Sequence, residues 1–228
     1  MTKKPKIDRK FYGRRKGKAL TKRRQNLMDT LLPEIRLNTV AASNTFHPDQ
    51  SFTNKDDIWM EIGFGDGKHL ALQAESHPHI GFIGCEPFLN GVAGLLCEIE
   101  EKNLSNIRIY TDDARDLMDI LPDHSLGRIF LLHPDPWHKT RHHKRRFIQS
   151  HTVATLARIL KPGGELRIAT DDAELAEWML YYVTASSHFE WTAEKAEDWR
   201  NPPQDWPVTR YGKKQIAGIP VYMCFKRL

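Results

Sequence analysis

From Ile58 onward the sequence alternates short apolar runs with longer amphipathic ones, and no other feature limits its folds so narrowly. Residues 58–62, 80–85, 107–110, 128–132 and 166–170 are short and apolar enough to be buried strands. Helical spacing separates them at 69–76, at 89–102 (Val92, Leu95, Leu96 and Ile99 on one face), at 114–121 and at 145–160. The last of these helices is expected to stop at the Pro162-Gly163-Gly164 turn. A helix from Ala173 to about Tyr182 follows, and 189–192 and 221–226 are two further strands. Strands alternating with helices predict right-handed βαβ units. The expected fold is therefore α/β: a doubly wound, mostly parallel sheet of about seven strands, the last antiparallel, with helices on both faces.

A chain of 228 residues can bury one good core, so 25–228 is expected to form a single domain. Residues 25–55 carry Pro33 and Pro48 and show no strong period, and 193–220 are irregular and too long for a plain connection. The first 24 residues hold twelve Lys or Arg against the single acid Asp8, a net of +11. The whole chain carries only +5, so the remainder is at −6. That block predicts a flexible basic arm that contacts nucleic acid, with Phe11 and Tyr12 available to stack on bases. Its removal is expected to weaken RNA binding and leave any small-ligand affinity intact. A second basic focus spans Lys139 to Arg146. No apolar run approaches the length of a membrane span, and the N-terminus has no apolar core behind its positive charges, so it is not expected to be a secretory signal. Cys85, Cys97 and Cys224 are odd in number and widely spaced, which argues against a disulfide framework or a zinc ribbon and suits a reducing cytoplasm.

Ligands of doubly wound sheets bind beyond the carboxyl ends of the strands. Beyond the first strand lies MEIGFGDGKHL, in which Gly63, Gly65 and Gly67 let the backbone turn tightly and approach a ligand. Glu86, at the second tip, is placed to accept from ribose hydroxyls, and Asp112 and Asp113, at the third, to accept from an adenine amino group. The alternating glycines differ from the dinucleotide pattern. Glu61 would repel a pyrophosphate yet suit the cationic methionyl end of S-adenosylmethionine, which favours a methyl donor over NAD. Beyond the fourth strand comes HPDPWHKTRHHKRR, where Pro134 and Pro136 stiffen the chain around Asp135. Trp137 is open to two readings, stacking or packing. The histidines of this run lack a Cys or carboxylate at ligand spacing, so no metal is expected. Of the pair after the fifth strand, Asp172 suits a helix cap and Asp171 is left to reach the site.

Residues 61–67 (EIGFGDG), 133–146, 169–172 (ATDD) and 208–218 (VTRYGKKQIAG) together resemble the bacterial tRNA (guanine-N7-)-methyltransferase family. The resemblance runs from about Ile58 onward, and the proline-flanked acid with its tryptophan and basic run is its specific part. It implies a class I, Rossmann-like methyltransferase fold that uses S-adenosylmethionine to make 7-methylguanosine in the tRNA variable loop. Carried over by position, it implies donor contacts at Glu61, Glu86, Asp113 and Asp135, beside the glycine loop of Gly63 and Gly65. It also makes Asp135 the catalytic acid and assigns tRNA contacts to Lys139, Asp171, Thr209, Arg210, Tyr211 and Gly212. Where the family shows Thr-x-Phe/Tyr-Glu, this chain has Gly212 in place of the glutamate.

Guanine N7 is an in-plane lone pair without a proton, so its methylation needs alignment and a negative group near the developing charge rather than a base. Two rival readings are a methyltransferase acting on an exocyclic amine and a non-catalytic RNA-binding subunit. Against the first, the order here is Pro-Asp-Pro-Trp, without adjacent prolines. A titration with S-adenosylmethionine tests the second.

Overall fold

The computed structural model of the chain describes residues 11–37, 46–207 and 218–228. Seven strands form one sheet in the order β3-β2-β1-β4-β5-β7-β6. They are β1 (Asp57–Ile62), β2 (Ile80–Cys85), β3 (Ile107–Tyr110), β4 (Leu126–Leu132), β5 (Leu160–Thr170), β6 (Phe189–Trp191) and β7 (Val221–Arg227). The first five pair in parallel, and β7 runs antiparallel between β5 and β6. The chain order reverses at β1, with β2 on one side and β4 on the other, and that switch point opens the crevice in which a doubly wound sheet holds its ligand.

Helices cover both faces. On one side α1 (Lys22–Ile35), α2 (Lys68–Ser76) and α3 (Leu89–Lys102) bury Leu27, Leu70, Leu95 and Leu96 against Trp59, Phe82 and Phe130 of the strands. On the other, α4 (Ala114–Ile120), α5 (Ser150–Ile159) and α6 (Ala173–Thr184) bury Leu117, Leu156 and Met179 against Met60, Ile129 and Ile168. A one-turn helix, α7 (Glu197–Arg200), lies within the irregular 193–220 stretch.

Three features depart from expectation. The 25–55 stretch holds most of α1, which begins at Lys22, with the Thr21 side chain accepting from Arg24 N–H. Leu27, Met28, Leu31, Leu32 and Ile35 form a helical stripe that Pro33, a residue that ordinarily breaks a helix, had disguised. The α-helix expected over 145–160 does not begin at Arg145, and 146–149 are not helical. A 3-10 turn over Thr140–Arg145 comes first, and α5 starts where Thr152 Oγ1 accepts from Gln149 N–H at 2.9 Å. The Pro162-Gly163-Gly164 segment is a kink inside β5 rather than a break before it, with Gly163 at φ 78°.

Candidate active site

The carboxyl ends of β1 to β4 open into one cleft of about 630 Å³, lined among others by Gly63, Glu86, Asp113 and Asp135. Gly63, Gly65 and Gly67 all adopt left-handed backbone (φ 71°, 57° and 78°), which only glycine reaches without strain. A Cβ at Gly91 of α3 would collide with the Gly65 carbonyl, so the helix supports the loop from beneath at backbone distance. The Glu86 carboxylate completes the turn, one oxygen accepting from Gly65 N–H at 2.8 Å and the other from Phe88 N–H at 2.9 Å. Burial pushes the Glu86 pKa up. The two N–H groups oppose the rise, and the charges of Asp135 and Glu61 add to it.

Asp113 lies at the third tip, where its carboxylate caps α4 and binds the Arg115 side chain. Its neighbour Asp112 accepts from Arg15 at 2.7 Å. At the fourth tip Asp135 is exposed, and none of the described residues donates to its carboxylate. The two residues flanking the Pro-Asp-Pro unit, His133 and Trp137, both have left-handed backbone (φ 47° and 48°). Such conformations cost non-glycine residues of the order of 1–3 kcal/mol and persist only where the surroundings dictate them. His133 is fixed by its N–H to Ala169 O at 2.7 Å, and its Nδ1 lies 3.4 Å from Asp171. Asp135 thus projects from a strained, braced turn.

The basic run behind this turn divides into two parts. Lys139, Arg141 and Lys144 are exposed. Arg146 is internal, 3% exposed, donating to Pro136 O and to Glu174 at 2.8 and 2.7 Å and lying over the Trp178 ring. Asp172 caps α6 by accepting from Leu175 N–H at 2.7 Å, as expected. Trp137 packs edge-on to Tyr12 and His142, with the Arg145 guanidinium 5.0 Å from its ring.

Not every expected residue reaches the cleft. Glu61 is buried against His69 and is not part of the lining, and neither are Gly65, Lys139 and Asp171. Residues 209–212 lie outside the described residues. Conversely, Phe11, Tyr12, Gly13 and Arg14 form one wall of the cleft, which sequence reasoning missed. This segment is tied down by Leu89 N–H to Arg15 O (3.0 Å), Gly17 N–H to Asn90 Oδ1 (2.8 Å) and Asn90 Nδ2 to Lys18 O (2.7 Å). The aromatic pair inside the basic block was the available signal. A smaller hollow of about 450 Å³ beside α1 and α3 mixes Arg24 and Lys68 with Glu98 and includes no strand-tip acid.

Solved structures share this architecture at low identity. An antibiotic-related methyltransferase aligns with TM-score 0.52 at 15% identity, covering 83% of this chain and 95% of its own. SMU.1697c of Streptococcus mutans, solved in complex with SAH, aligns with TM-score 0.52 at 14% identity, covering 92% and 100%. Sheet order and strand-tip cleft together define a class I methyltransferase. The Methyltransf_4 methyltransferase family model matches residues 55–222. Among curated proteins, the tRNA (guanine-N(7)-)-methyltransferase of Rhodospirillum rubrum is 45% identical, covering all of this chain and 91% of its own length. That of Caulobacter vibrioides is 46% identical over 95% and 94%. The chain belongs to the tRNA (guanine-N(7)-)-methyltransferase family.

Proposed function

We propose that the chain methylates N7 of a guanosine in the variable loop of tRNA, with S-adenosylmethionine as donor and 7-methylguanosine as product. The observation that carries this reading is the cleft itself, where an acceptor at Glu86 and an exposed acid at Asp135, with no donor among the described residues, share one cavity in a chain of this family. Its volume lies within the roughly 300–1,000 Å³ typical of small-ligand sites. The donor supplies a methyl group on a sulfonium. The N7 lone pair forms the new bond to that carbon while the carbon–sulfur pair returns to sulfur, so no proton has to be moved.

The protein's part is positioning and charge. Glu86 accepts from ribose hydroxyls, Asp113 stands at the adenine end, and Glu61 serves the donor's amino group. Asp135 holds the N1–H and amino edge of guanine and balances the positive charge that spreads over the purine. Lys139 and Asp171, with Thr209, Arg210, Tyr211 and Gly212, contact the tRNA. Incubation with methyl-labelled donor and unmodified tRNA, followed by nucleoside analysis, tests the reading. Label in 7-methylguanosine is expected, and label in an exocyclic methylamine or in no nucleoside overturns it.

A further inference from the structure

Glu61 and His69 are shut inside the protein together, 2% and 6% exposed, with Glu61 Oε2 and His69 Nδ1 2.7 Å apart. The carboxylate can only accept, so Nδ1 carries the hydrogen of this bond. The imidazole packs edge-on against Phe130 and at a tilt against Trp206, with ring centroids 4.9 and 5.3 Å away, and its Nε2 is buried with no partner among the described residues. None of the described residues donates to the other Glu61 oxygen. Among the described residues the Glu61 carboxylate has a single donor, where a carboxylate can accept several hydrogen bonds. Glu61 is the penultimate residue of β1, directly before the glycine loop, where a Cβ at Gly63, two residues on, would meet nothing within 4 Å.

We propose that His69 is a positioning residue for donor binding: it holds the Glu61 carboxylate at one oxygen so that the other meets the amino group of the donor's methionyl end. The inference rests on the reading of Glu61 as the amino-group acceptor. A histidine serving only as filler would have no need of its Nδ1, and the two roles separate by experiment.

Titration calorimetry with S-adenosylhomocysteine and with its deaminated counterpart, which keeps the carboxylate and lacks the amine, supplies the test. The wild-type protein prefers the amine-bearing ligand. His69→Leu is expected to weaken that ligand about tenfold, the scale of one charge-assisted hydrogen bond, and to leave the deaminated ligand unchanged. His69→Asn, whose amide nitrogen can stand close to the Nδ1 position, restores the preference, whereas His69→Gln, which places its amide further out, does not. Equal weakening of both ligands by His69→Leu, or an undiminished preference, overturns the proposal. Should His69→Leu fail to fold, the contrast between the Asn and Gln variants decides alone, and equal behaviour of those two overturns it. Glu61→Gln separates the layers. If it keeps the amine preference, the assignment of Glu61 falls. If it abolishes the preference while His69→Leu does not, only the role of His69 falls.

Discussion

The backbone N–H of Gly65 donates to the carboxylate of Glu86 at 2.8 Å, which makes the loop after β1 and the tip of β2 one mechanical unit. Glu86 therefore shapes the glycine turn as well as the ribose site, and only its ionised form does both well. Burial raises its pKa above the ordinary 4.5, so as pH falls it takes up a proton earlier than an exposed glutamate would. Donor affinity should decline with falling pH, with its onset above 4.5. Because the raised pKa penalises the ionised form, this group adds stability below its ordinary value and loses it as pH rises through the folded one. Glu86→Gln should flatten the affinity profile and cost about 1.5–3 kcal/mol of donor binding at neutral pH. Calorimetry across pH measures both, and a wild-type profile flat down to the ordinary carboxylate range contradicts the assignment.

Deletion of residues 1–20 leaves the Thr21 cap and removes the wall formed by Phe11–Arg14. Sequence alone suggested that only RNA binding would suffer, but the cleft lining predicts a loss in donor affinity too, about 1 kcal/mol or roughly fivefold. The slope of tRNA affinity against salt should become shallower as phosphate contacts disappear. Titrating donor and tRNA separately against the truncated chain checks both effects.

Asp135→Asn keeps the size of the side chain on its braced turn and removes its charge. Turnover at saturating tRNA and donor should drop by about 10²–10³, the scale of a preorganised electrostatic group. Near-normal turnover would leave Asp135 as a strand terminator.

Two cations of the same basic run should behave oppositely. Arg146→Ala removes bonds to Pro136 O and Glu174 from a buried side chain and should lower stability by about 2–3 kcal/mol, seen as a reduced Tm. Lys139→Ala, at an exposed position, should leave Tm unchanged and raise the KM for tRNA. Reversed outcomes would exchange the structural and substrate-binding roles.

The parallel strands were legible because buried strands are apolar runs bounded by turns, and the tip acids because ligands of such sheets gather at one end. Glu86 and Asp135 were found that way. Glu61 was harder, since alternation along β1 sends Ile58, Met60 and Ile62 to one face and Trp59 and Glu61 to the other, where α2 brings up His69. Its partner lies eight residues on, and only packing reveals it. Arg146 looked like its exposed neighbours because burial depends on Glu174 and Trp178, which come from a later helix. The wall at Phe11–Arg14 was hidden for a similar reason: its anchors, Asn90 and Asp112, are contributed by two other segments.

The placement of β7 between β5 and β6 bears on how the molecule comes into being. Among the described residues β6 has β7 as its sole sheet neighbour, and β7 follows it in the chain by some thirty residues. During synthesis residues 189–191 must wait unpaired, and β5 presents a bare edge of N–H and C=O groups, until 221–227 arrive to fill the slot. An open edge of that kind invites association between chains. The parallel half of the sheet and every residue lining the cleft precede this closing strand in the chain, so a nascent protein that folds from its N-terminal side would build its cleft while its sheet edge is still open.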